Sequence, residues 1–345
     1  MNSYQRVMAA LKGEPFDCYP ALSPTSVVTN QLMSQTNTSF PSAHLNLFDT
    51  VALAEAGHKI LGFDSIAPYF SIHLEASALG AEIDWNGTGG MPQVLSKPLK
   101  TIENYTLPDG YLESKEIQLF VKIIEILHDK YHGTVPLIGK VVGPWTLAYH
   151  LFGVENLILK TILDPEETAC FIKELSKCSL AFAKMQFEAG ADFVVWAEHV
   201  TADLVSPDIY SEFVLPIHKN AVKVLKPYGP LMMHVCGNLS DRVGQLSQSG
   251  MALLHIDSRN DFKDATSQLQ SKMQLVGFIN NPHLLRNGSK EEVHHTAVHL
   301  LQGGVTFVAP ECALPFTVPN SNLIELTKTL HSFTPVKIAS LSRDE

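Results

Sequence analysis

The sequence predicts an α/β fold of the (β/α)8 or TIM-barrel type, in which residues 1–345 form a single domain. The chain has 345 residues, of which 45% are hydrophobic and 17% charged, so it can bury one large core. Short apolar runs alternate with longer helical patterns, which predicts parallel strands joined by crossover helices. Several helical patterns end in a glycine just before the next strand, as at Gly190 and Gly250, which is typical of helix C-caps. Eight such units in one chain favour a closed barrel over an open, doubly wound sheet.

Eight apolar segments are predicted strands. The first contains Pro20, which lacks the N–H that a strand ladder needs, so this strand has the weakest pattern. The run DFVVWA at 192–197 has a stronger pattern because β-branched and aromatic residues dominate it. In chain order the predicted strands span residues 19–23, 64–70, 135–142, 192–197, 231–235, 252–257, 274–279 and 305–309.

Helical patterns fill most of the intervals. The opening residues form a short amphipathic pattern that ends at Gly13. The later patterns span residues 49–61, 116–130, 165–189, 206–225, 240–249 and 290–302. Residues 82–110 are rich in glycine and proline, which predicts an insertion loop that could cover the site. The polar tail after about residue 335 is expected to be frayed.

Charge and composition exclude several classes of partner. Lys and Arg number 25 against 35 Asp and Glu, giving a formal net charge of −10 without a dense basic tract, so no nucleic acid partner is expected. No run reaches the roughly 18 apolar residues of a membrane span, and no secretory signal opens the chain. We therefore expect a cytoplasmic protein without membrane contact. The five cysteines are few, odd in number and widely spread, which predicts reduced thiols.

Three motifs resemble known sites but lack essential parts. Gly139 and Lys140 are followed by Val141, so the Ser or Thr of a phosphate-binding loop is missing. The glycine-rich stretch 87–90 follows no clear strand, which argues against a dinucleotide site. His295 and His299 have the spacing of two metal ligands on one helix face, but no Glu follows the first histidine, and a surface helix is the favoured interpretation.

The strand at 231–235 carries a pattern that predicts a metal site. His234 and Cys236 are two residues apart, so on an extended chain an imidazole and a thiolate face the same side. Cys312 follows the eighth predicted strand, and both strand ends open on the face where barrel enzymes carry their active sites. One nitrogen and two sulfur ligands suit Zn²⁺ and leave a coordination position open. The residues alone also permit a buried histidine and two buried cysteines without metal.

Five segments resemble the uroporphyrinogen decarboxylase superfamily, and within it most closely the methylcobamide:coenzyme M methyltransferases. In order, from about residue 5 to about 330, they are RVMAALKGEPFDCYP, GFDSIAPYFSIHLEASALGAEIDWN, EAGADFVVWAEHVTADLVSPDIYSEFVLP, HVCGN and GGVTFVAPECALPFTVPNSNL. The resemblance implies that His234, Cys236 and Cys312 bind zinc. It also implies a carboxylate ligand near Asp257, although strict residue counting puts Ser258 at that position.

The resemblance further implies a reaction and its partners. The methyl donor would be a methylcobamide carried by a separate corrinoid protein, and the acceptor a thiol such as coenzyme M. Three alternatives remain: tetrahydrofolate as the acceptor, porphyrin decarboxylation, and a non-catalytic barrel that binds a tetrapyrrole or corrinoid protein. Decarboxylation is disfavoured because residues 20–28 lack the arginine that grips substrate carboxylates in the decarboxylases.

Polar residues around the fourth predicted strand are candidates for binding substrate. Asp192, Glu198, His199 and Asp203 are the four members of this group. Their alternative role is ordinary polarity in a solvent-facing loop. We also expect the second ring nitrogen of His234 to be held by a carbonyl or carboxylate, as is usual for metal-binding histidines.

Overall fold

The protein is described by a computed structural model that covers residues 1–86, 91–270 and 272–335. Its strands are β1 (Glu82–Asp84), β2 (Gln93–Ser96), β3 (Ile138–Val142), β4 (Phe193–Ala197), β5 (Leu231–Val235), β6 (Leu253–Ile256), β7 (Gln274–Ile279) and β8 (Phe307–Pro310). Its helices are α1 (Ser3–Lys12), α2 (Asn30–Thr36), α3 (Ser42–Leu45), α4 (Leu47–Leu61), α5 (Leu74–Ala78), α6 (Lys115–Tyr131), α7 (Pro144–Leu151), α8 (Val154–Leu163), α9 (Pro165–Glu188), α10 (Pro207–Ile209), α11 (Leu215–Leu225), α12 (Val243–Ser247), α13 (Phe262–Gln268), α14 (Lys290–Gln302) and α15 (Asn320–Ser332). Single π-helical turns occupy Tyr210–Val214 and Asn281–Leu285.

Strands β3 to β8 form one parallel sheet in chain order, and helices cover its outer face. In the register of this sheet Ala197 lies between Val142 and His234, and His234 lies beside His255. Every residue of β3, β4, β5, β6 and β8 is buried, as expected for parallel strands packed on both faces. The TIM-barrel prediction is confirmed, and the six later predicted strands are regular.

The first two predicted strands occupy their expected positions in the barrel but are not regular strands. Ile66 makes a single parallel bridge with Leu137, and its carbonyl accepts from the N–H of Ile138 at 2.8 Å. Pro20 and Pro68 interrupt the two segments, and neither can donate a ladder hydrogen bond. The predictions of regular strands at 19–23 and 64–70 are therefore wrong.

Beyond Ile66 the edge of β3 is completed by three side chains instead of a strand. We call this set, Glu75, Ser179 and Gln186, the side-chain seam. The Gln186 amide accepts from the Lys140 N–H at 2.7 Å and donates to the Lys140 carbonyl at 2.9 Å. Glu75 accepts from the Val142 N–H, and Ser179 donates to the Val142 carbonyl, both at 2.7 Å. Because these backbone groups are satisfied, the chain after Ile66 can leave β3 and open a space beside it.

Helix α1 closes the N-terminal end of the barrel. Val7 and Ala10 are buried against an apolar layer inside the barrel. That layer contains Leu22, Ile138, Phe193, Val195, Met232, Leu253, Val276, Phe307 and Ala309. The helix ends at Gly13, whose φ of 69° is left-handed, so the predicted opening helix is confirmed. Leu22 belongs to the same apolar layer as Ile138 of β3 and Phe307 of β8, the two outer strands of the sheet.

Most predicted helices are present, with ends shifted by a few residues. The pattern at 290–302 corresponds to α14, and those at 49–61, 116–130, 165–189 and 240–249 correspond to α4, α6, α9 and α12. The pattern at 206–225 is divided into α10, a π-helical turn and α11. Pro216 near the start of α11 has no N–H to continue the regular bonding, which explains the interruption.

The predicted insertion at 82–110 contains two short strands. β1 and β2 pair antiparallel, and residues 87–90 between them lie outside the described residues. The predicted tail after about 335 falls in 336–345, which are also outside the described residues. Helices α2, α3, α5, α7, α8, α13 and α15 were not predicted. Within the described ranges, no helix combines the length and apolar character needed to cross a bilayer.

Candidate metal centre

His234, Cys236 and Cys312 meet at the C-terminal mouth of the barrel. His234 lies near the end of β5, Cys236 follows that strand directly, and Cys312 lies two residues after β8. The Cys236 sulfur is 3.0 Å from His234 Nε2 and 3.3 Å from the Cys312 sulfur, and the Cys312 sulfur is 3.8 Å from the same nitrogen. No other group of three potential metal ligands this compact occurs among the described residues.

The geometry and chemistry of this three-donor cluster fit a small divalent cation. Zinc binds cysteine sulfur at about 2.3 Å and histidine nitrogen at about 2.0 to 2.1 Å, so two ligands on one ion can be up to roughly 4.4 to 4.6 Å apart. All three observed separations are shorter, so one ion can contact all three atoms at once. Two sulfurs and an imidazole nitrogen are zinc ligands, and they leave the fourth tetrahedral position free.

The two thiols cannot both ionise easily without a cation. The hydrogen bond from Cys236 holds the pKa of the Cys312 thiol well below its usual range, and the same contact raises the pKa of Cys236. The cause is that two thiolates 3.3 Å apart would repel each other in a buried site, so the pair keeps one proton between them. A bound divalent cation would remove that repulsion and release the proton.

His255 fixes the ring nitrogen that His234 offers to the cluster. His255 Nε2 lies 2.9 Å from the Pro310 carbonyl, which only accepts, so this nitrogen carries a proton. Burial lowers the pKa of His255 to about 3, so its ring is neutral and its Nδ1 is an acceptor. His234 Nδ1, 2.8 Å away, must then be the donor, which leaves a lone pair on His234 Nε2 facing the two sulfurs. The expected direct carbonyl or carboxylate partner of His234 is therefore corrected to an imidazole.

Asp257 stabilises the turn that carries Cys236 instead of joining the cluster. Its Oδ2 accepts from the Gly237 N–H at 2.5 Å, and its Oδ1 accepts from the Arg259 N–H at 3.0 Å. The compact donor group contains no oxygen of Asp257. The expectation of a fourth ligand at Asp257 is corrected, because its carboxylate is hydrogen-bonded to backbone amides.

Glu311 and Asn281 fix the loop that carries Cys312. The Glu311 carboxylate is buried and accepts from the backbone N–H groups of Ser258 and Asn281, each at 2.9 Å. The Asn281 side chain donates to the Cys312 carbonyl at 2.8 Å. These contacts connect the loop after β8 to the ends of β6 and β7, so Cys312 is fixed relative to β5 as well.

Two of the predicted substrate-binding residues lie away from the cavity. Asp192 precedes β4 and accepts from the Leu137 N–H at 2.8 Å, at the end of the barrel opposite the cluster. Glu198 is buried, and it accepts from the backbone N–H of Thr146 at 2.9 Å and from its hydroxyl at 2.7 Å. Glu198 thereby caps the start of α7. Both expectations are corrected, since neither carboxylate lines the cavity beside the cluster.

His199 and Asp203 lie nearer to the three-donor cluster. The His199 side chain lines the cavity, and burial lowers its pKa. Asp203 is exposed and forms an ion pair with Arg259 at 3.3 Å across an outer cleft of about 740 Å³. Of the four polar residues predicted around this strand, only His199 lines the inner cavity.

An inner cavity of about 220 Å³ adjoins the cluster. Residues 69–73, which follow the departure of the chain from β3, form one of its walls. The inner cavity and the outer cleft meet at Cys236 and His199, which line both. The inner cavity is lined by Thr25, Ser26, Tyr69, Phe70, Ser71, Ile72, His73, Met91, Pro92, Lys140, Val142, Thr146, Ala197, His199, His234, Cys236, Cys312 and Ala313.

Lys140 is a site residue that the sequence analysis missed. It occupies an inward position on β3 between Ile138 and Val142, is 7% exposed, and lines the inner cavity. In the sequence, Gly139 and Lys140 resemble only an incomplete phosphate-binding loop. A lysine at an inward position near the carboxyl end of an apolar strand would have been the usable signal.

Comparisons with known proteins define the family. Residues 2–333 match the family described as uroporphyrinogen decarboxylase (URO-D). The methylated-thiol–coenzyme M methyltransferase of Methanosarcina mazei is 30% identical, covering 94% of this chain and 87% of the relative. The methylcobamide:CoM methyltransferase MtbA of Methanosarcina acetivorans is 27% identical over 95% of this chain and 97% of its own. A solved structure, a methyltransferase from Methanosarcina mazei, superposes with a TM-score of 0.91 at 26% identity, covering 96% of this chain and 99% of the other. The chain therefore belongs to the uroporphyrinogen decarboxylase family and is, within that family, a methyltransferase.

Proposed function

We propose that this chain transfers a methyl group from a methylated corrinoid protein to a small thiol such as coenzyme M, with Zn²⁺ held by His234, Cys236 and Cys312. The observation that carries the proposal is the three-donor cluster beside a small inner cavity. The similarity to Methanosarcina proteins, which include a methylcobamide:CoM methyltransferase, supports the same donor and acceptor.

The reaction needs a thiolate at neutral pH. A free thiol with a pKa near 8.5 is mostly protonated, and zinc in this site would supply the acceptor as a bound thiolate. In the transfer the sulfur electron pair forms the new carbon–sulfur bond. The cobalt–carbon bond breaks with its electron pair left on cobalt as Co(I), and the thiol proton is released.

The protein's own residues prepare this step. His255 keeps a lone pair on His234 Nε2, and Glu311 and Asp257 hold the two cysteine loops in position. Two cysteine thiolates and a neutral imidazole would balance the charge of a divalent ion, so the acceptor thiolate would add a negative charge and remain nucleophilic.

The size and lining of the inner cavity favour a small acceptor over the alternatives. Its volume of about 220 Å³ lies below the roughly 300 to 1,000 Å³ usual for drug-sized ligands, so a folate would have to bind in the outer cleft. Among the residues that the structure describes, no arginine lines the inner cavity, whereas a porphyrinogen carries several carboxylates that need cationic partners. A non-catalytic barrel would give no reason for two thiols to meet an imidazole at the mouth.

Metal content and methyl transfer test the proposal together. We expect about one zinc per chain in the purified protein and loss of zinc in Cys236→Ser and Cys312→Ser. Cys170→Ser is the matched control, because Cys170 is exposed on α9 and should leave zinc unchanged. Methyl transfer from methylcobalamin to coenzyme M should disappear with the metal. Full zinc retention by both cluster variants, or transfer that is independent of zinc, would refute the proposal.

A further inference from the structure

The interior of the barrel changes from apolar to polar between the layer that packs on α1 and the metal centre. The layer that packs on α1 is entirely apolar and includes Ile138, two residues before Lys140 on the same inward side of β3. Above that layer, His234 and His255 turn inward from β5 and β6. Lys140 is thus the cation that lies between the apolar floor and the metal centre.

The side-chain amine of Lys140 is buried without a direct ion pair, although the Cys312 and Cys236 thiols and the Glu75 carboxyl lie near enough to act on its charge. Among the described residues it forms no ion pair and no hydrogen bond, and it lies 5.8 Å from the centre of the Tyr69 ring. The nearby Glu75 carboxyl does not pair with it. Its Oε2 accepts from the Tyr69 hydroxyl at 2.8 Å and from the Val142 N–H at 2.7 Å, its Oε1 is buried without a hydrogen-bond partner in the described structure, and burial raises the pKa of this carboxyl to about 8. An unpaired buried ammonium is costly, which is why buried lysines usually have a partner.

The backbone of Lys140 is held so that its side chain faces the inner cavity. Gln186 of the side-chain seam bonds both the N–H and the carbonyl of Lys140. Two hydroxyl groups face the same cavity. Thr25 Oγ1 is buried without a partner in the described structure, and Ser71 Oγ accepts from the His73 N–H at 3.1 Å, which leaves its own proton to donate. A cation and two hydroxyl donors around a small cavity form a binding site for an anion.

We infer that Lys140, assisted by Thr25 and Ser71, binds a negatively charged group on the acceptor and makes the site selective for short thiols that carry a sulfonate or carboxylate. This inference rests on the proposed function for the role of the thiol, which would bind at the three-donor cluster. The anion would lie deeper in the barrel and the sulfur nearer the mouth. Lys140 is thus a specificity-determining residue that binds the substrate away from the reacting atoms.

Equilibrium binding measured by calorimetry tests the inference on the zinc-loaded protein. The probes are 2-mercaptoethanesulfonate, 3-mercaptopropionate and the uncharged 2-mercaptoethanol. Lys140→Met should weaken binding of the two anionic thiols by roughly 10- to 100-fold and leave 2-mercaptoethanol nearly unchanged, as expected for loss of one buried charge-assisted contact. Lys140→Arg should retain part of the preference. Lys97→Met is the matched control, because Lys97 is exposed and outside the inner cavity.

Ethanesulfonate separates failure of this inference from failure of the proposed function. It has the anion but no thiol, so its binding should persist in Cys236→Ser and be weakened when Lys140→Met is added. If Lys140→Met weakened the binding of all three thiols equally, the lysine would act on the charge of the metal centre and not on the anionic group, and the inference would be overturned. An unchanged preference for the anionic thiols would also overturn it. If Lys140→Met does not fold, Lys140→Gln, checked by circular dichroism, gives the same comparison.

Discussion

Replacing His255 by leucine tests how the metal centre is prepared. His255 is fully buried and joins two groups, accepting from His234 Nδ1 at 2.8 Å and donating to the Pro310 carbonyl at 2.9 Å. Leucine has a similar volume, so His255→Leu removes both hydrogen bonds without a large cavity. His234 would lose the contact that directs its lone pair to the two sulfurs.

The expected magnitude follows from the two groups left without partners. A buried polar group without a hydrogen bond costs about 1 to 3 kcal/mol, so with two such groups the free energy of unfolding of the metal-free protein should fall by about 2 to 6 kcal/mol. Loss of the residue that orients a metal-binding histidine lowers metal affinity by about 10- to 100-fold. His255→Gln should recover part of both effects, because its amide can accept from His234 and donate to Pro310.

Two measurements check this prediction independently. Urea unfolding of the metal-free protein gives the change in stability, and competition with a chelator gives the change in zinc affinity. If His255→Leu bound zinc as tightly as the parent protein, the argument that His255 fixes the tautomer of His234 would be wrong. A parent protein without zinc would refute the proposed function, while the stability comparison would still test the hydrogen bonds.

Three further predictions concern residues around the site. Gly237→Ala should lower both stability and zinc affinity, because φ is 94° at this residue and a Cβ would overlap the Thr201 hydroxyl. Adding Thr201→Ala should recover only the part of the loss that is due to this overlap. Urea unfolding and competition with a chelator measure the two effects. Glu311→Gln should lower the free energy of unfolding by about 1 to 3 kcal/mol and loosen the Cys312 loop, because the new NH₂ group would face a backbone N–H of Ser258 or Asn281. Unchanged zinc affinity and unchanged stability would contradict this prediction. Burial lowers the pKa of His150 to about 3 in the folded protein, below its unfolded value of 6.5. The unfolded state therefore binds more protons between these values, and stability should fall as pH falls through that window; urea unfolding at several pH values should show a smaller loss in His150→Phe.

The metal centre could be predicted from sequence because it depends on short-range geometry. Alternation along β5 places His234 and Cys236 on one side, and parallel strands bring their carboxyl ends to one face, which Cys312 also reaches. The same rule explains the error for Asp192. This residue precedes β4 and so lies at the N-terminal end of the barrel, opposite the metal centre. His255 follows the same inward alternation on β6 and could have been predicted as a neighbour of His234.

Features that depend on distant side chains could not be predicted. The neighbouring sequence does not show that the Asp257 carboxylate accepts a hydrogen bond from the Gly237 N–H. It also does not show that Glu198 caps α7 by accepting from Thr146. The irregular first two strands have the same cause. The prolines in these segments indicate that the strands are interrupted. That side chains such as Gln186, distant in sequence, replace the missing ladder hydrogen bonds depends on tertiary packing.

The side-chain seam has a consequence for how the substrate range of this barrel can change. Residues 69–73 shape the inner cavity, yet among the described residues they contribute no hydrogen bonds to the main sheet. Tyr69 should be kept, because its hydroxyl donates to Glu75 of the side-chain seam. Substitutions at the other positions can alter the size and polarity of the binding space while the parallel strands and the two cysteine loops keep their bonding. Directed evolution toward longer or uncharged acceptors should therefore begin with this segment, where new side chains can be accommodated without rebuilding the barrel.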